Sequence, residues 1–492
     1  MMRRPMHRLM RRFRARAMQL VGLLALAGSA CAPTVVWTEH SPDLRRTVQA
    51  VQETGAVRID VDGRTEARYR AVPRHSVRFS RTGRRLAYAA QRGRGWSVVL
   101  DGRPGEVWDG VDSLLFSDDE HSFAFMAERQ GAWHVVRDGH TSPPWPSLRA
   151  RTLRFSPDGR DLFFVAEERG QVRVVQSNRA GPAFDGVSGL TFSPDGAHVG
   201  YVGRRARAVQ AVIDGQLGDV YEAIVELVLR RQRVGMLARR GGRWHAVIDG
   251  QMGPAYDLAA AMTLSPDGSH TAYIGRREQS WVVVHDGLPG FPFAHVDALQ
   301  LQSDGRPLYV AREGTQTRVV SGDRVGPAFR SIDAPVLAAA GSRFGYVARD
   351  KSGSRVVLDG DVHGAAVWQW AGDLTLSDDG RHVAHLARQQ NQDGVWHDGR
   401  FHRLRHMRPG SLVLSNDGQH VACLEEDQEQ RTLYINVDGQ RTRALSVREI
   451  LVSMMRDMPS PTWEPAAVDT WLRSFLHAEL ARLSATRTRI VP

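Results

Sequence analysis

The feature that most constrains this chain is a turn that keeps returning. Ser193-Pro194-Asp195-Gly196 lies between two apolar runs in "GLTFSPDGAHVGYVGRR". Its glycine recurs at Gly83, Gly159, Gly196, Gly268, Gly305, Gly380 and Gly418. Residues 159 to 196 and 268 to 305 are each one step of 37, and 83 to 159 is two such steps. Degenerate copies, "FSDDEHS", "VLRRQRV" and "AAAGSRF", fill the gaps near 120, 231 and 341. A second ladder of Asp-Gly pairs closes an apolar run at Gly63, Gly102, Gly139, Gly215, Gly250, Gly287, Gly360, Gly399 and Gly439, with weaker equivalents in "QSNRAG" and "SGDRVG". Both markers give the same count of eleven units between about 35 and 448. A fixed period of this kind means one supersecondary unit stacked on copies of itself.

Each unit reads alike. A run such as "LTF" precedes the turn and a run such as "HVGYV" follows it. After a polar loop comes a Trp- and Val-rich run such as "WVVVHDG", then a short fourth ending in "GPAYD" or "GPAFD". Val, Tyr, Phe and Trp favour strands, and Asp-Gly supplies the positive φ of tight hairpins. Runs such as "DLFFV" are apolar on both faces, as strands between stacked sheets must be. Four strands of about five residues with tight turns fill 37 positions. The expected fold is all-β: a β-propeller of about eleven four-stranded blades. Eleven exceeds the usual blade number of one ring, which suggests two abutting rings of five and six; the even spacing, with no linker, suits one wide ring instead.

The units resemble the WD-repeat-like propeller blades of the TolB type, marked by "SPDG" between the first and second strands. The resemblance covers about residues 35 to 448. It implies the fold and little about activity, because neither the N-terminal α/β domain of TolB nor the hydrolase domain of prolyl-peptidase-like propellers is recognisable.

Net charge is +11, which first suggests an anionic partner. Seven arginines, Arg3, Arg4, Arg8, Arg11, Arg12, Arg14 and Arg16, lie within residues 1–30 beside no acid, so removing that segment leaves 11 − 7 = +4. The basic stretch runs into "AMQLVGLLALAGSAC", a positive n-region, a short apolar h-region and small residues before a cleavage point. Residues 1–30 are therefore expected to be a signal peptide. Cys31 after "AGSA" resembles a bacterial lipoprotein signal, which implies a lipidated start to the mature chain at 31–34. Gly28 stands where that family prefers Leu, and cleavage after Ala30 or Ala32 is the alternative. The other cysteine, Cys423, reads as a buried small residue.

Candidate sites follow from the repeat. The Asp and Ser of each turn, Asp158-Gly159, Asp195-Gly196 and Asp267-Gly268 among them, offer too few oxygens for calcium and read as structural turns bonding their own backbone. Arg204, Arg239, Arg276, Arg312, Arg349 and Arg388 all follow the end of a second strand. Equivalent positions share a face, so these guanidinium groups could hold carboxylates or phosphates in bidentate fashion. The competing reading is local pairing with Asp109, Asp185, Asp257, Glu313 or Asp350. Trp96, Trp133, Trp244 and Trp281 begin third strands and read as packing between sheets. "VWQW" at 367–370 breaks the fourth-strand pattern and is a candidate contact. His397, His402 and His406 fall at a hairpin, where they are not expected to converge on a metal. No catalytic residue, metal site, cofactor or nucleic-acid role is expected.

Residues 449–492 change character. Val468, Trp471, Leu472, Phe475, Leu476, Leu480 and Leu483 follow helical spacing and predict an amphipathic helix after a linker. The functional expectation is an exported, lipid-anchored binding or scaffold protein of the bacterial envelope. It would face the periplasm or the cell surface and engage an envelope protein or an anionic envelope polymer. The alternative is a propeller enzyme, a hydrolase or lyase acting on peptide or glycan from a central funnel.

Overall fold

The structure, a computed structural model, describes residues 34–445, apart from 43–44, 232, 340–342, 365, 416 and 428–431, together with Leu476. The expected signal peptide, Cys31 and the expected C-terminal helix lie outside the described residues, except that Leu476 is helical and buried.

Eleven antiparallel sheets follow one another along the chain. We number them as blades 1 to 11: 34–69, 78–108, 110–141, 147–180, 186–221, 223–252, 258–289, 295–325, 331–362, 370–404 and 413–445. Each is a meander of four strands in chain order, the blade of a β-propeller. In blades 4 and 9 the first strand is interrupted: Ser147–Leu148 and Arg154–Phe155 both pair with Leu162–Glu168, and Ser331–Ile332 and Val336–Leu337 both pair with Phe344–Asp350. Pro335, which has no N–H to give the ladder, sits in the second gap. The chain forms two compact units, 1–144 with the first three blades and 145–492 with the other eight. The boundary falls after the third blade, where the repeat count suggests five and six.

The turn chemistry explains the first ladder. Ser193 Oγ donates to Asp195 Oδ1 at 2.6 Å and accepts from the His198 N–H at 2.9 Å, while Asp195 Oδ1 also accepts from the Ala197 N–H at 3.2 Å. Gly196 closes the turn at φ +72, a backbone region that side chains avoid. The same bonds recur at Ser156 with Asp158 and at Ser265 with Asp267. Hydroxyl donors hold these carboxyl groups below the usual carboxylate range.

The second ladder does more than turn the chain. Asp214 and Gly215 both have positive φ, as a two-residue hairpin of this twist requires. Asp214 Oδ1 accepts from the Val199 N–H at the start of strand two, and Oδ2 meets His198 Nδ1 at 2.7 Å. His198 Nε2 then lies 2.9 Å from the Arg231 carbonyl of the next blade. Elsewhere an arginine does the same work. Arg85 donates to Asp101 and to the Glu120 carbonyl, both at 3.1 Å, and Arg343 to Asp359 at 2.9 Å and the Gly380 carbonyl at 3.1 Å. These Asp-Gly hairpins, at Asp101, Asp214 and Asp359, are thereby each tied through one side chain to the following blade.

Apolar burial between neighbouring sheets supplies most of the cohesion. Phe163, Val165 and Val172 of blade 4, with Phe184 just after it, pack with Val199, Tyr201 and Val212 of blade 5. Leu237, Ala246 and Tyr256 of the sixth repeat pack with Met262, Tyr273 and Val284 of the seventh. Each large side chain so buried contributes on the order of 2 kcal/mol. Packing is close enough that a methyl group on Gly203 would come 2.3 Å from the Phe184 ring. The first strands of blades 5 to 8 touch in succession, as strands lining one common side must.

Candidate anion-binding site

The six arginines of the sequence register do occupy one blade position. Each is the next-to-last or nearby residue of strand two, opposite the start of strand one: Arg204 against Gly186, Arg239 against Ala223, Arg276 against Leu258, Arg312 against His295, Arg349 against Ser331 and Arg388 against Trp370. Their surroundings differ. Arg349 makes a bidentate pair with Asp333 and also donates to the Ala371 carbonyl at 2.8 Å. Arg388 grips Asp393 of its own hairpin, at 2.5 Å for the closer contact. Arg239 lies 3.5 Å from Glu222, and Arg276 stacks 5.5 Å above the Trp281 ring. Arg204 is exposed over Gly186.

The acids expected to neutralise them have another task. Asp109, Asp185 and Asp257 accept backbone N–H bonds from Gln130, Ala206 and Glu278 in the turn between strands two and three of the following blade. Those three turn residues have positive φ, so the carboxylate secures a conformation the chain would otherwise resist. Asp350 instead caps its own turn, through the Ser352 N–H at 2.7 Å.

That self-capped turn belongs to blade 9, and it frees the residue that would have capped it. Where Phe184-Asp185 and Tyr256-Asp257 follow the last strands of blades 4 and 6, Phe329-Arg330 follows that of blade 8. The backbone register is unchanged: the Arg330 N–H bonds the Arg349 carbonyl, as Asp185 bonds Arg204 and Asp257 bonds Arg276. One blade earlier the same position is Ala294, after Phe293. Two acids are therefore missing around Arg312. Among the described residues neither the Arg312 nor the Arg330 guanidinium has an ion pair or a hydrogen-bond partner, and both are exposed.

The two arginines line one cavity of about 250 Å³, together with Thr315, Thr317 and Ser331, which carry hydroxyls, and the carboxylate of Asp297. Thr317 pairs with Arg312 across the hairpin, the place held by Trp281 opposite Arg276 and by Trp244 opposite Arg239. A small residue in place of an indole opens the space. Asp297 lies 2.9 Å from His295 Nε2. Two unpaired guanidinium groups and adjacent hydroxyls form a donor set suited to a carboxylate or phosphate.

Several sequence expectations need correction or completion. "VWQW" does not break the pattern. Trp368 bridges Ser354 as Phe184 bridges Val172, and it is a core residue, 6% exposed and stacked on Phe401 at 5.7 Å. Trp96, Trp133, Trp244 and Trp281 are all half-buried at the start of third strands. His397 Nε2 bonds the Gly418 carbonyl at 2.9 Å, turned away from any set with His402 and His406. Cys423 is fully buried, and burial pushes its thiol up.

A second arginine register escaped the sequence reading. Arg129, Arg205, Arg240 and Arg277, each the last residue of its strand two, lie 3.8 to 4.8 Å above Trp108, Phe184, Tyr221 and Tyr256 of the preceding repeat. Arg205 and Arg277 also donate to the Ala183 and Ala255 carbonyls, at 2.9 and 3.1 Å. These arginines clamp one blade to the next. The signals were present in the doubled "RR" of "VGRR" and "IGRR", and in "GPAFR" where other units have "GPAFD".

No family model and no curated protein matches this chain. Among solved structures it is similar to TolB from Acinetobacter baumannii, with 15% identity over 56% of this chain and 67% of that one and a TM-score of 0.22. It is also similar to the β-propeller domain of the Trilobed protease from Pyrococcus furiosus (10% identity, 57% and 91% covered, TM-score 0.24) and to the Dos1 propeller (10%, 74% and 92%, TM-score 0.25). Overlap this slight carries no functional argument, and the fold rests on the blades themselves.

Proposed function

We propose that this protein is a non-catalytic binding protein of the bacterial envelope that captures an anionic group between blades 8 and 9. In this reading it is exported by residues 1–30 and held at the membrane through lipid on Cys31, with the propeller as a rigid frame for recognition. The observation that carries the binding role is the pair Arg312 and Arg330, unneutralised and sharing a cavity of about 250 Å³. A stiff frame presenting two forked donors selects a carboxylate or phosphate with little ordering cost. The ligand would be the acidic side chain of an envelope protein or the repeating anion of an envelope polymer.

Calorimetric titration with inorganic phosphate and with glutarate tests the site directly. Wild-type protein is expected to saturate with one of them, and Arg312→Ala and Arg330→Ala should each weaken that binding at least tenfold. Arg204→Ala, in the same register but outside the cavity, should leave it unchanged. Equal affinity in all four proteins, or no saturation in wild type, refutes the proposal.

A further inference from the structure

Blade 7 carries three metal-donor side chains at its hairpin that the anion site does not use. His270 enters strand two, while His285 ends strand three and Asp286 opens the Asp-Gly turn, so the hairpin register brings them together. His270 Nδ1 lies 2.7 Å and His285 Nε2 3.4 Å from Asp286 Oδ2, and all three donor atoms fall within 4.8 Å of one another. The imidazoles stack at 5.6 Å.

His285 Nε2 is the telling atom. It is buried, and its approach to Asp286 does not have hydrogen-bond geometry, so it has no hydrogen-bond partner. Yet all three side chains keep about a third of their surface exposed, at 38%, 32% and 36%, so a cation has an approach. Asp286 is aimed by its other oxygen, which accepts from the Thr271 N–H at 2.7 Å, the kind of outer support that metal-binding carboxylates need.

We infer that His270, His285 and Asp286 form a binding site for a divalent transition-metal ion of the zinc class. Two imidazole nitrogens and one carboxylate oxygen suit zinc, nickel or copper and do not suit calcium or magnesium. Tetrahedral zinc with donors at about 2.0 Å sets them about 3.3 Å apart, close to the His285–Asp286 separation. The cation takes the place of the proton between His270 Nδ1 and Asp286 Oδ2, which leaves to solvent, and water fills the fourth position.

The chain contains its own control. Blade 10 repeats the three residues as His382, His397 and Asp398. There His397 Nε2 is committed to the Gly418 carbonyl, so it carries the proton and has no lone pair to give. One site, not two, follows. The other hairpins of this kind, His198–Asp214 and His420–Asp438, have Ile213 and Val437 where blade 7 has His285.

Zinc titration of the full chain against a chromophoric chelator is the test. Wild type should bind one equivalent through this site, and His285→Ala should weaken it at least tenfold. His270→Arg should do the same without disturbing the fold, because Arg85 and Arg343 already serve at that blade position as the tether to the hairpin aspartate. His397→Ala should leave the site intact. Wild-type binding no tighter than that of His270→Arg, or an equal loss in His397→Ala, overturns the inference.

Discussion

Buried histidine in blade 10 makes the sharpest quantitative prediction. His385 is the third residue of strand Val383–Gln389 and 2% exposed. It stacks on Trp396 at 5.2 Å and meets Trp368 edge-on at 5.4 Å, with Nδ1 3.2 Å from the Leu386 carbonyl. Desolvation first, with a lesser push from His363, lowers its pKa to about 4. The neutral ring is therefore built into the fold, and the unfolded chain takes up the proton first. A histidine shifted this way contributes fully above about pH 6.5 and loses that contribution as pH falls toward 4. At pH 4.5 the loss is about 2.5 kcal/mol, from roughly two pH units at 1.36 kcal/mol each. His198 runs the other way: the bond to Asp214 raises its pKa, so its contribution is present below about 6.5 and fades as pH rises. A difference measurement separates them. Urea unfolding of wild type and His385→Phe at pH 7.5 and 4.5, followed by tryptophan fluorescence, should show wild type losing about 2.5 kcal/mol more on acidification. Equal acid sensitivity in the two proteins would mean that His385 is protonated or solvated in the fold, and the burial argument would be wrong.

Two further substitutions test the frame. Arg205→Ala should cost about 1–2 kcal/mol, from the lost stacking on Phe184 and the lost bond to the Ala183 carbonyl. Its neighbour Arg204→Ala should stay within about 0.5 kcal/mol, and equal thermal shifts would refute the clamp. Gly418→Ala should destabilise by more than about 2 kcal/mol, because its φ is +70 and the new methyl would meet His382 Cδ2 at 2.3 Å. Gly215→Ala, with φ +80 and open space around it, should show only the backbone cost of about 1–2 kcal/mol. Equal denaturation midpoints for the two variants would mean that the His382 ring does not rest on that turn.

The blades were legible in the sequence because their cause is local. A Ser-x-Asp-Gly turn satisfies its own backbone and an Asp-Gly pair accepts positive φ, so both markers act within a few residues. What joins one blade to the next was not legible by the same means. Arg204 and Arg205 are adjacent and chemically identical, yet alternation along the strand sends them to opposite faces. Only Arg205 meets the Phe184 ring of the preceding blade. Local pairing holds for Arg239, Arg349 and Arg388, with partners that the sequence does not single out. Asp185 and Asp257 lie close in sequence to Arg204 and Arg276, but they accept from backbone N–H groups two strands onward, and the arginine that Asp257 meets is Arg243.

The repeat also shows how a site arises without disturbing the fold. Each inter-blade junction has a fixed demand: something must cap the turn between strands two and three, and something must fill the space beside the strand-two arginine. Among the described residues an acid does the first at four junctions, through Asp109, Asp185, Glu222 and Asp257, and Trp244 and Trp281 help with the second beside Arg239 and Arg276. Between blades 8 and 9 Asp350 caps its own turn, so position 330 carries an arginine without leaving a backbone donor stranded. Thr317 then leaves unfilled the volume that an indole occupies at Trp281. Blade 7 makes a similar exchange: once histidine replaces arginine as the tether at 270, a second histidine at 285 turns a structural pair into a donor set. In both cases the frame's own requirement is met by another residue, and the released position is free to face a ligand.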